Sequence, residues 1–422
     1  MPGSASPTAL DRLRGFPLLS AIEGRRSRRF GFGMRIPRGP LAYHSRHAPL
    51  RLSQTEEALV IAAVSGTTGW LFLHPFSPHG RPDLPAYAAA AGGRTFPSSG
   101  GFHTTEVFYT NDDGIYFVST RDRGPSERRQ PSDDNPVVDA RRLSEQRLII
   151  PEDPFIAPHN RWCANQPGTT LIMPIADVAQ QLIALIGATV QRGMAVHDDI
   201  TGRPFDGLDE FTELLDARTS VPLSVIEQEA LWSCATELGI ACYAGSLVLQ
   251  ALGLGSWMFG GIDSLAIMGV ARNQERGGLG FRADDRADWS VPNPIGLPGV
   301  FEGYCPPNFG SMSEAVQAFS RRRFRPGGPF NRETPGPWRA TKEVRGAVGP
   351  DSQSFLACVS RIAETIYERF DRFPATAPSV LMTTYLQAHH LDLDYYDRFF
   401  EPGAYLDTHR AHMADWHGEE GK

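Results

Sequence analysis

Four arginines around one serine, in the run Arg25-Arg26-Ser27-Arg28-Arg29, are the first residues of this sequence that could bind a charged ligand. A guanidinium group binds phosphate oxygens through pairs of hydrogen bonds, and a serine hydroxyl adds another donor. Three such groups alternating along an extended segment could surround one phosphate. A solvated basic segment near a chain end has the same composition, and the residues alone favour that simpler interpretation.

A glycine- and serine-rich loop at residues 97–101, with the sequence PSSGG, could lie against a flat ligand. Glycine has no Cβ, so the backbone there can approach a planar ring closely. A plain turn that leads into the next strand is the simpler interpretation of this loop taken by itself.

A third pattern joins an apolar helix, which includes residues 237–240, to the small-residue turn GLGSWMFGG at residues 253–261. Small residues at a helix end let another backbone or a planar ring come close. A core helix that stops at a glycine shows the same pattern. Each of the three motifs alone is weakly specific, so their order along the chain is the more informative feature.

The tail at residues 385–417 is dense in histidine, aspartate and aromatic residues. His409 and His412 would share one face of a helix, which is a spacing that suits two metal ligands. Further ligand types in the tail are His389, His390, Asp392, Asp394 and His417. Their spacing is neither tight nor symmetric, so no metal ligand is assigned. A tail that wraps the core or a partner subunit, with its histidines in ordinary hydrogen bonds, is the simpler explanation.

Composition limits the classes of protein that fit. The 422 residues are 41% hydrophobic and 21% charged with a formal net charge of −7, which indicates a globular chain and argues against a nucleic-acid-binding protein. Five scattered cysteines without a CxxC pair favour a reducing cytoplasm over a disulfide framework. We expect no signal peptide, because the N-terminus lacks an apolar core. We expect no membrane span, because the most apolar stretch, residues 245–262, is short and interrupted by glycines.

The elements that must position these motifs mix helices and strands. A capping box, Ser53 with Glu56, begins a helix at 52–63, and strands at 106–110 and 115–119 are predicted to form a hairpin around the turn 111–114. Further helices are predicted at residues 1–23, 175–188, 355–370 and 223–253, the last as one helix or two, broken near Gly239 or Gly245. Residues 122–139 are predicted to form an exposed loop, and residues 277–337 to be mostly irregular. This pattern indicates an α+β domain without internal repeats.

In this order and at these separations, the three motifs resemble the FMN-dependent nitroreductase superfamily. Its N-terminal phosphate-binding strip is matched by Arg25 or Arg26, Ser27 and Arg29. In the branch that contains the azoline-forming peptide dehydrogenases, the loop along the isoalloxazine ring is similar to Pro97, Ser98, Ser99 and Gly100. The turn that packs under the flavin resembles Gly260 and Gly261. The residues after Gly101 depart from that branch and no Lys-x-Tyr pair can be placed, so its substrate is not carried over.

The resemblance implies a nitroreductase-like α+β fold, with a central antiparallel-rich sheet flanked by helices. It implies a flavin domain at 1–320 with an insert at about 121–225, and an extension at 321–422 that wraps the core or a partner subunit. The expected protein is a cytoplasmic homodimer, with FMN at its subunit interface and neither nucleic acid nor membrane as partner. It would transfer hydride through flavin N5 to or from a small organic or peptide-like substrate. His103 is nominated as general acid. A flavin-free binding scaffold and a metal-dependent enzyme that uses the tail remain alternatives.

Overall fold

The computed structural model of the chain describes residues 7–75, 89–124, 138–284 and 290–418, and it combines helices with β-strands. The helices are α1 (Pro7–Gly15), α2 (Leu18–Gly24), α3 (Gln54–Ser65), α4 (Val178–Gln191), α5 (Leu223–Leu252), α6 (Ser264–Met268), α7 (Met312–Phe324), α8 (Thr341–Arg345), α9 (Gln353–Phe370), α10 (Leu393–Phe399) and α11 (Asp407–Trp416). The strands are β1 (Arg35–Ile36), β2 (Tyr43–His44), β3 (Thr67–Trp70), β4 (Gly92–Arg94), β5 (Thr105–Asn111), β6 (Gly114–Val118), β7 (Arg141–Ser144), β8 (Thr170–Asp177), β9 (Met194–His197), β10 (Asp216–Pro222), β11 (Gly255–Met258), β12 (Arg282–Asp284), β13 (Asn293–Leu297), β14 (Phe301–Glu302), β15 (Val380–Leu381) and β16 (Leu386–His389).

The largest sheet has the strand order β11-β16-β8-β5-β6-β7, and β15 also pairs with β8. Each of these pairings is antiparallel. All residues of β8 are buried, because its alternating side chains enter hydrophobic clusters on both faces of the sheet. The predicted hairpin is confirmed as β5 and β6, with Asn111 opposite Gly114 at the turn.

Helix α5 packs across this sheet and contacts α3, α4, β8 and β11. Its buried face includes Cys234, Leu238, Ala241 and Leu249. The expected break near Gly239 or Gly245 is wrong, because the helix runs without interruption until Gly253 ends it with a left-handed φ of 79°. By length and composition alone α5 could cross a membrane, although 50% of its most apolar window is buried within the chain.

Gly245 serves close packing rather than a break in the helix. A Cβ at this position would lie 2.6 Å from side-chain atoms of both Val64 and Leu386. The glycine therefore lets α5 approach α3 and strand β16 at the same point. At Gly239, in contrast, no neighbouring atom of the described chain lies within 4 Å of an added Cβ.

Several element boundaries differ from those predicted. Residues 175–177 complete strand β8, and α4 begins only after Asp177, whose side chain accepts a hydrogen bond from Gln180 N. The apolar run continues across this junction, so its spacing does not mark the change. The described part of residues 277–337 is mostly irregular, as predicted, although it also contains β12, β13, β14 and α7; these strands are too short for a visible alternation. The N-terminal residues form two helices, α1 and α2, while α9 and the capping box of α3 are confirmed.

The main sheet takes strands from every segment of the sequence. Strands β7 and β8 lie within residues 121–225, and β15 and β16 lie within residues 321–422. Both segments thus help to build the sheet, and the domain boundary near residue 320 stays a prediction. Of the exposed loop predicted at 122–139, residues 125–137 lie outside the described residues.

The two glycines of α5 give a matched test of its packing. Replacing either by alanine gains the same helix propensity, about 0.5–1 kcal/mol, because both lie inside one helix. We expect Gly245→Ala to have a free energy of unfolding about 1–3 kcal/mol below that of Gly239→Ala in urea denaturation, since its added methyl group meets two buried side chains. Equal stabilities for the two variants would contradict the close contact at Gly245.

Candidate functional site

Residues 25–30 form an extended segment, the arginine segment, which lies beside the edge strand β11. The Ser256 backbone N–H donates to the Arg28 carbonyl at 3.0 Å. At the far end of the segment Phe30 stacks on Tyr395, with ring centroids 4.2 Å apart. Because side chains alternate along an extended chain, neighbouring arginines point in different directions.

Arg28 points inward and belongs to the scaffold. Its guanidinium donates to Gln250 Oε1 at 2.7 Å and to the carbonyls of Ala404 at 2.7 Å and Gly24 at 3.1 Å. Burial lowers its pKa to about 10, so the group keeps its charge at neutral pH. Arg28 therefore fixes the segment and adds positive charge, while these donors are already bonded within the chain.

Arg25, Arg26 and Ser27 lie nearer to solvent. Arg26 and Ser27 are exposed, and Arg26 Nη1 donates to the carbonyls of Glu23 and Arg25 at 2.9 Å each. The Arg25 guanidinium lies over the Tyr243 ring, 5.9 Å from its centroid. The carbonyl contacts of Arg26 are solvent-exposed, so an anion could replace them at small cost.

Arg29 joins the segment to a loop from the middle of the chain. Its Nη1 donates to Asn160 Oδ1 at 2.7 Å, and its Cζ lies 5.5 Å from the centroid of the Trp162 ring. Among the described residues, no carboxylate forms an ion pair with any arginine of the segment. The segment thus carries four positive charges that the described chain does not neutralise.

A cleft of about 540 Å³, the arginine cleft, opens beside this segment, and its lining includes Arg26, Ser27, Arg28 and Arg29. Its aromatic wall consists of Phe30, Trp162, Tyr395, Tyr396 and Phe400. The volume lies within the range typical of cofactor and small-molecule sites. The sequence motif did not predict most of this wall, because the aromatic residues that form it are remote in the chain and share no local pattern. Arg25 does not line the cleft.

The glycine pair 260–261 lies close to Arg29. The Gly261 carbonyl accepts a hydrogen bond from Ala157 N at 2.8 Å, and a Cβ on Gly261 would lie 2.4 Å from Asn160 Nδ2. Gly261 thus approaches the same asparagine that Arg29 contacts. Gly260 is exposed, with no described atom within 4 Å of an added Cβ.

The loop at residues 97–101 lines a different cleft, of about 390 Å³, which we call the glycine-loop cleft. Ser98 Oγ donates to the buried Glu237 carboxylate and accepts from His103 N at 2.8 Å. Gly100 and Gly101 adopt left-handed φ values of 58° and 69°. Pro97, Ser98, Gly100, Arg94 and His103 are among the lining residues. The loop is therefore a tight turn that Glu237 of α5 holds in place, with an open cleft beside it.

The register of the main sheet separates the two clefts. The loop precedes Thr105, which is opposite Ala176 on β8. The arginine segment adjoins Ser256, which pairs with Ala388 and through it with Thr170. Ala176 and Thr170 are six residues apart on β8, which corresponds to about 20 Å along the strand. One chain therefore does not place its arginine segment and its glycine loop in one cavity.

His103 lies at the base of the glycine-loop cleft and is 2% exposed. Neither ring nitrogen has a hydrogen-bond partner among the described residues. Burial, with the nearby Arg94 and Arg322 charges, lowers its pKa to about 3, so the imidazole is neutral at pH 7. A neutral imidazole can donate one N–H and accept at its other nitrogen, but acting as a strong acid would require a proton that this site disfavours.

Part of the histidine-rich tail converges on a residue from α3. Atoms of Glu56, His390, His412 and His417 lie within 4.8 Å of one another. His389 and His409 are buried outside this group. Asp392 and Asp394 instead approach His47. The sequence suggested His390 and His412 as ligand types without pairing them, and it gave no sign of Glu56, whose only visible role was in the capping box.

Comparison with known proteins does not assign this chain to a family. No family model matches, and no curated protein matches. Among solved structures, a putative nitroreductase from Ralstonia eutropha is 13% identical, with 58% of this chain and 71% of that chain covered and a TM-score of 0.27.

The buried, neutral state of His103 predicts a pH effect on stability. Because its pKa is about 3 in the folded chain and 6.5 ordinarily, the unfolded chain takes up this proton first as the pH falls. The contribution of His103 to the free energy of unfolding is complete above about pH 6.5, and it is lost as the pH falls towards the folded-state pKa. Between pH 7 and pH 5, urea denaturation should show a loss about 2 kcal/mol larger for wild type than for His103→Asn, which tolerates the left-handed backbone there. Parallel pH profiles for the two proteins would disprove the neutral-histidine interpretation.

Proposed function

We propose that this chain is an FMN-dependent oxidoreductase with a nitroreductase-like fold, and that its arginine cleft binds the phosphate of the cofactor. The observation that carries the proposal is a line of arginines beside a cleft, with no carboxylate paired to them among the described residues. Elsewhere in the chain, arginines such as Arg121, Arg147 and Arg369 form close ion pairs with aspartates. Four neighbouring arginines without such a pair, beside a cleft, favour an anion supplied by a ligand.

The electrostatic setting favours a compact dianion over a polyanion. The whole chain has a formal net charge of −7, so its positive potential is local to the segment. A phosphate monoester could take paired hydrogen bonds from Arg26 and Arg29 and a further one from the Ser27 hydroxyl. Arg28 adds charge from beneath without competing for the ligand.

The aromatic wall suits a cofactor that joins a phosphate to a flat ring. Trp162 lies under Arg29, and Tyr395 and Phe400 are further members of the wall. FMN, when bound, supplies hydride transfer at its N5 atom. The contribution of the chain is to hold the phosphate, to exclude water with aromatic side chains, and to add positive charge close to the cofactor. The substrate class, a small organic or peptide-like molecule, stays part of the proposal.

The separation of the two clefts supports a dimeric site. Since about 20 Å of strand β8 separates the arginine segment from the glycine loop, we propose that the loop of a second copy of the chain borders the ring whose phosphate the first copy binds. The five cysteines are free and buried, which fits the proposed cytoplasmic location.

Removing two arginines should remove the flavin. Arg26→Ala/Arg29→Ala deletes several charge-assisted hydrogen bonds, each worth about 1.5–3 kcal/mol, so FMN affinity should fall at least about 100-fold. Flavin absorbance per protein and titration with added FMN measure this loss. The control is Arg12→Ala/Arg218→Ala, which removes two exposed arginines that pair with aspartates and should leave flavin content unchanged.

Two outcomes would reject this assignment. Undiminished FMN content in the arginine double variant would mean that the segment does not bind the phosphate. A colourless wild-type protein that takes up no added FMN would favour the flavin-free scaffold.

A mixed dimer tests which loop borders the flavin. Valine at Gly100 would place a β-branched side chain at a φ of 58°, so Gly100→Val should fold but displace the loop and lose its flavin. Coexpression of Gly100→Val with Arg26→Ala/Arg29→Ala, under two affinity tags, should give a heterodimer with one intact composite site and about half of the wild-type flavin. If each site comes from a single chain, both sites are defective and the heterodimer is colourless. A monomer that carries flavin, by light scattering, would also exclude the shared site.

A further inference from the structure

Four side chains from three distant parts of the sequence meet behind the arginine segment. Glu56 Oε1 lies 3.0 Å from His412 Nε2 and 3.0 Å from His417 Nε2, and His390 Nδ1 lies 3.1 Å from His412 Nε2. Glu56, His390 and His412 are almost fully buried, and the His417 side chain is 17% exposed. We call this group the His3Glu cluster.

Backbone carbonyls fix the protonation of two imidazoles in the cluster. His412 Nδ1 lies 2.7 Å from the Leu252 carbonyl, and His390 Nε2 lies 3.2 Å from the Arg51 carbonyl. A carbonyl oxygen only accepts, so each of these nitrogens carries the ring hydrogen. In the neutral rings the opposite nitrogens, His412 Nε2 and His390 Nδ1, are therefore lone-pair acceptors, and both point into the cluster.

Glu56 brings a third acceptor to the same point. Its Oε2 accepts from Ser53 N at 2.6 Å in the capping box, which leaves Oε1 directed at the histidines. With neutral imidazoles, three lone-pair groups thus face one another at close range inside the protein, and such an arrangement is unfavourable unless a proton or a metal ion lies between them.

We propose that the His3Glu cluster binds one divalent transition-metal ion, with zinc as the best match. Three imidazole nitrogens and one carboxylate oxygen form a ligand set typical of zinc, and ligands at 2.0–2.1 Å in a tetrahedron lie roughly 3.3 Å from one another. Three of the six ligand–ligand separations are 3.0 to 3.1 Å, close to that spacing, and the other three are within 4.8 Å. The carbonyls of Leu252 and Arg51 orient the ligating rings, as outer-shell partners do in metal sites.

The position of the cluster indicates a structural role. Four protein ligands fill a tetrahedral site and leave no open position for a substrate. The ion would join α3, the end of β16 and the C-terminal helix α11. The His390 carbonyl also accepts from Phe32 N at 3.1 Å, just beyond the arginine segment. The site thus fastens the tail across the back of that segment, and it is independent of the flavin proposal.

Metal content of tag-free protein tests the site directly. Elemental analysis after dialysis should find close to one zinc per chain in wild type. His417→Ala and His412→Ala should each weaken zinc binding by more than the 10–100-fold that loss of an outer-shell partner causes. His409→Ala is the matched control, because His409 lies in the same helix, one turn before His412, and outside the cluster; its zinc content should equal that of wild type.

A second measurement needs no variant. Wild-type protein stripped with a chelator should melt at a lower temperature, and added Zn²⁺ should restore its Tm, because an ion that binds the folded chain stabilises it. Cobalt substitution should give the visible absorption of a tetrahedral Co²⁺ site. Wild-type protein that contains no zinc and whose Tm does not respond to Zn²⁺ would overturn the proposal, as would equal zinc content in His417→Ala and wild type.

Discussion

Hydrogen bonds to one buried carboxylate connect the core helix α5 to the glycine loop and to the start of strand β5. Glu237 lies midway along α5 and accepts from Thr104 N at 3.0 Å, Thr104 Oγ1 at 2.9 Å and Thr105 Oγ1 at 2.8 Å, in addition to Ser98 Oγ. Burial raises the pKa of this carboxyl group, while the donors favour its charged form. Thr105 begins β5, so the same contacts fix the start of the central hairpin and the turn beside it.

The arginine segment shows how one short motif can serve both structure and binding. Arg28 bonds inward to Gln250, while Arg26 and Arg29 lie beside the cleft. The inward arginine depends on Gln250, near the end of α5, so the long helix also fixes this second region. Both candidate clefts are therefore set by the same helix, from opposite ends of the sheet.

The sequence allowed good prediction where the decisive interactions are local. The capping box of Ser53 and Glu56 and the tight turn at Asn111–Gly114 are specified by neighbouring residues, and both are present. The end of β8 at Asp177 was missed, because burial on both faces removes the alternation that would mark a strand. The aromatic wall of the arginine cleft and the meeting of Glu56 with three histidines depend on chain folding over hundreds of residues. No spacing rule could have predicted them.

The place of β16 in the sheet constrains the order in which the protein can assemble. This strand, at residues 386–389, lies between β8 and β11, which are more than a hundred residues earlier in the chain. During synthesis, β8 and β11 leave the ribosome long before their shared neighbour does. Until then each has an unpaired strand edge in an apolar setting, a feature that favours association with other chains. A nascent chain of this protein should therefore depend on chaperones for most of its translation, and a stop codon shortly before residue 386 should yield an aggregating product rather than a smaller folded domain.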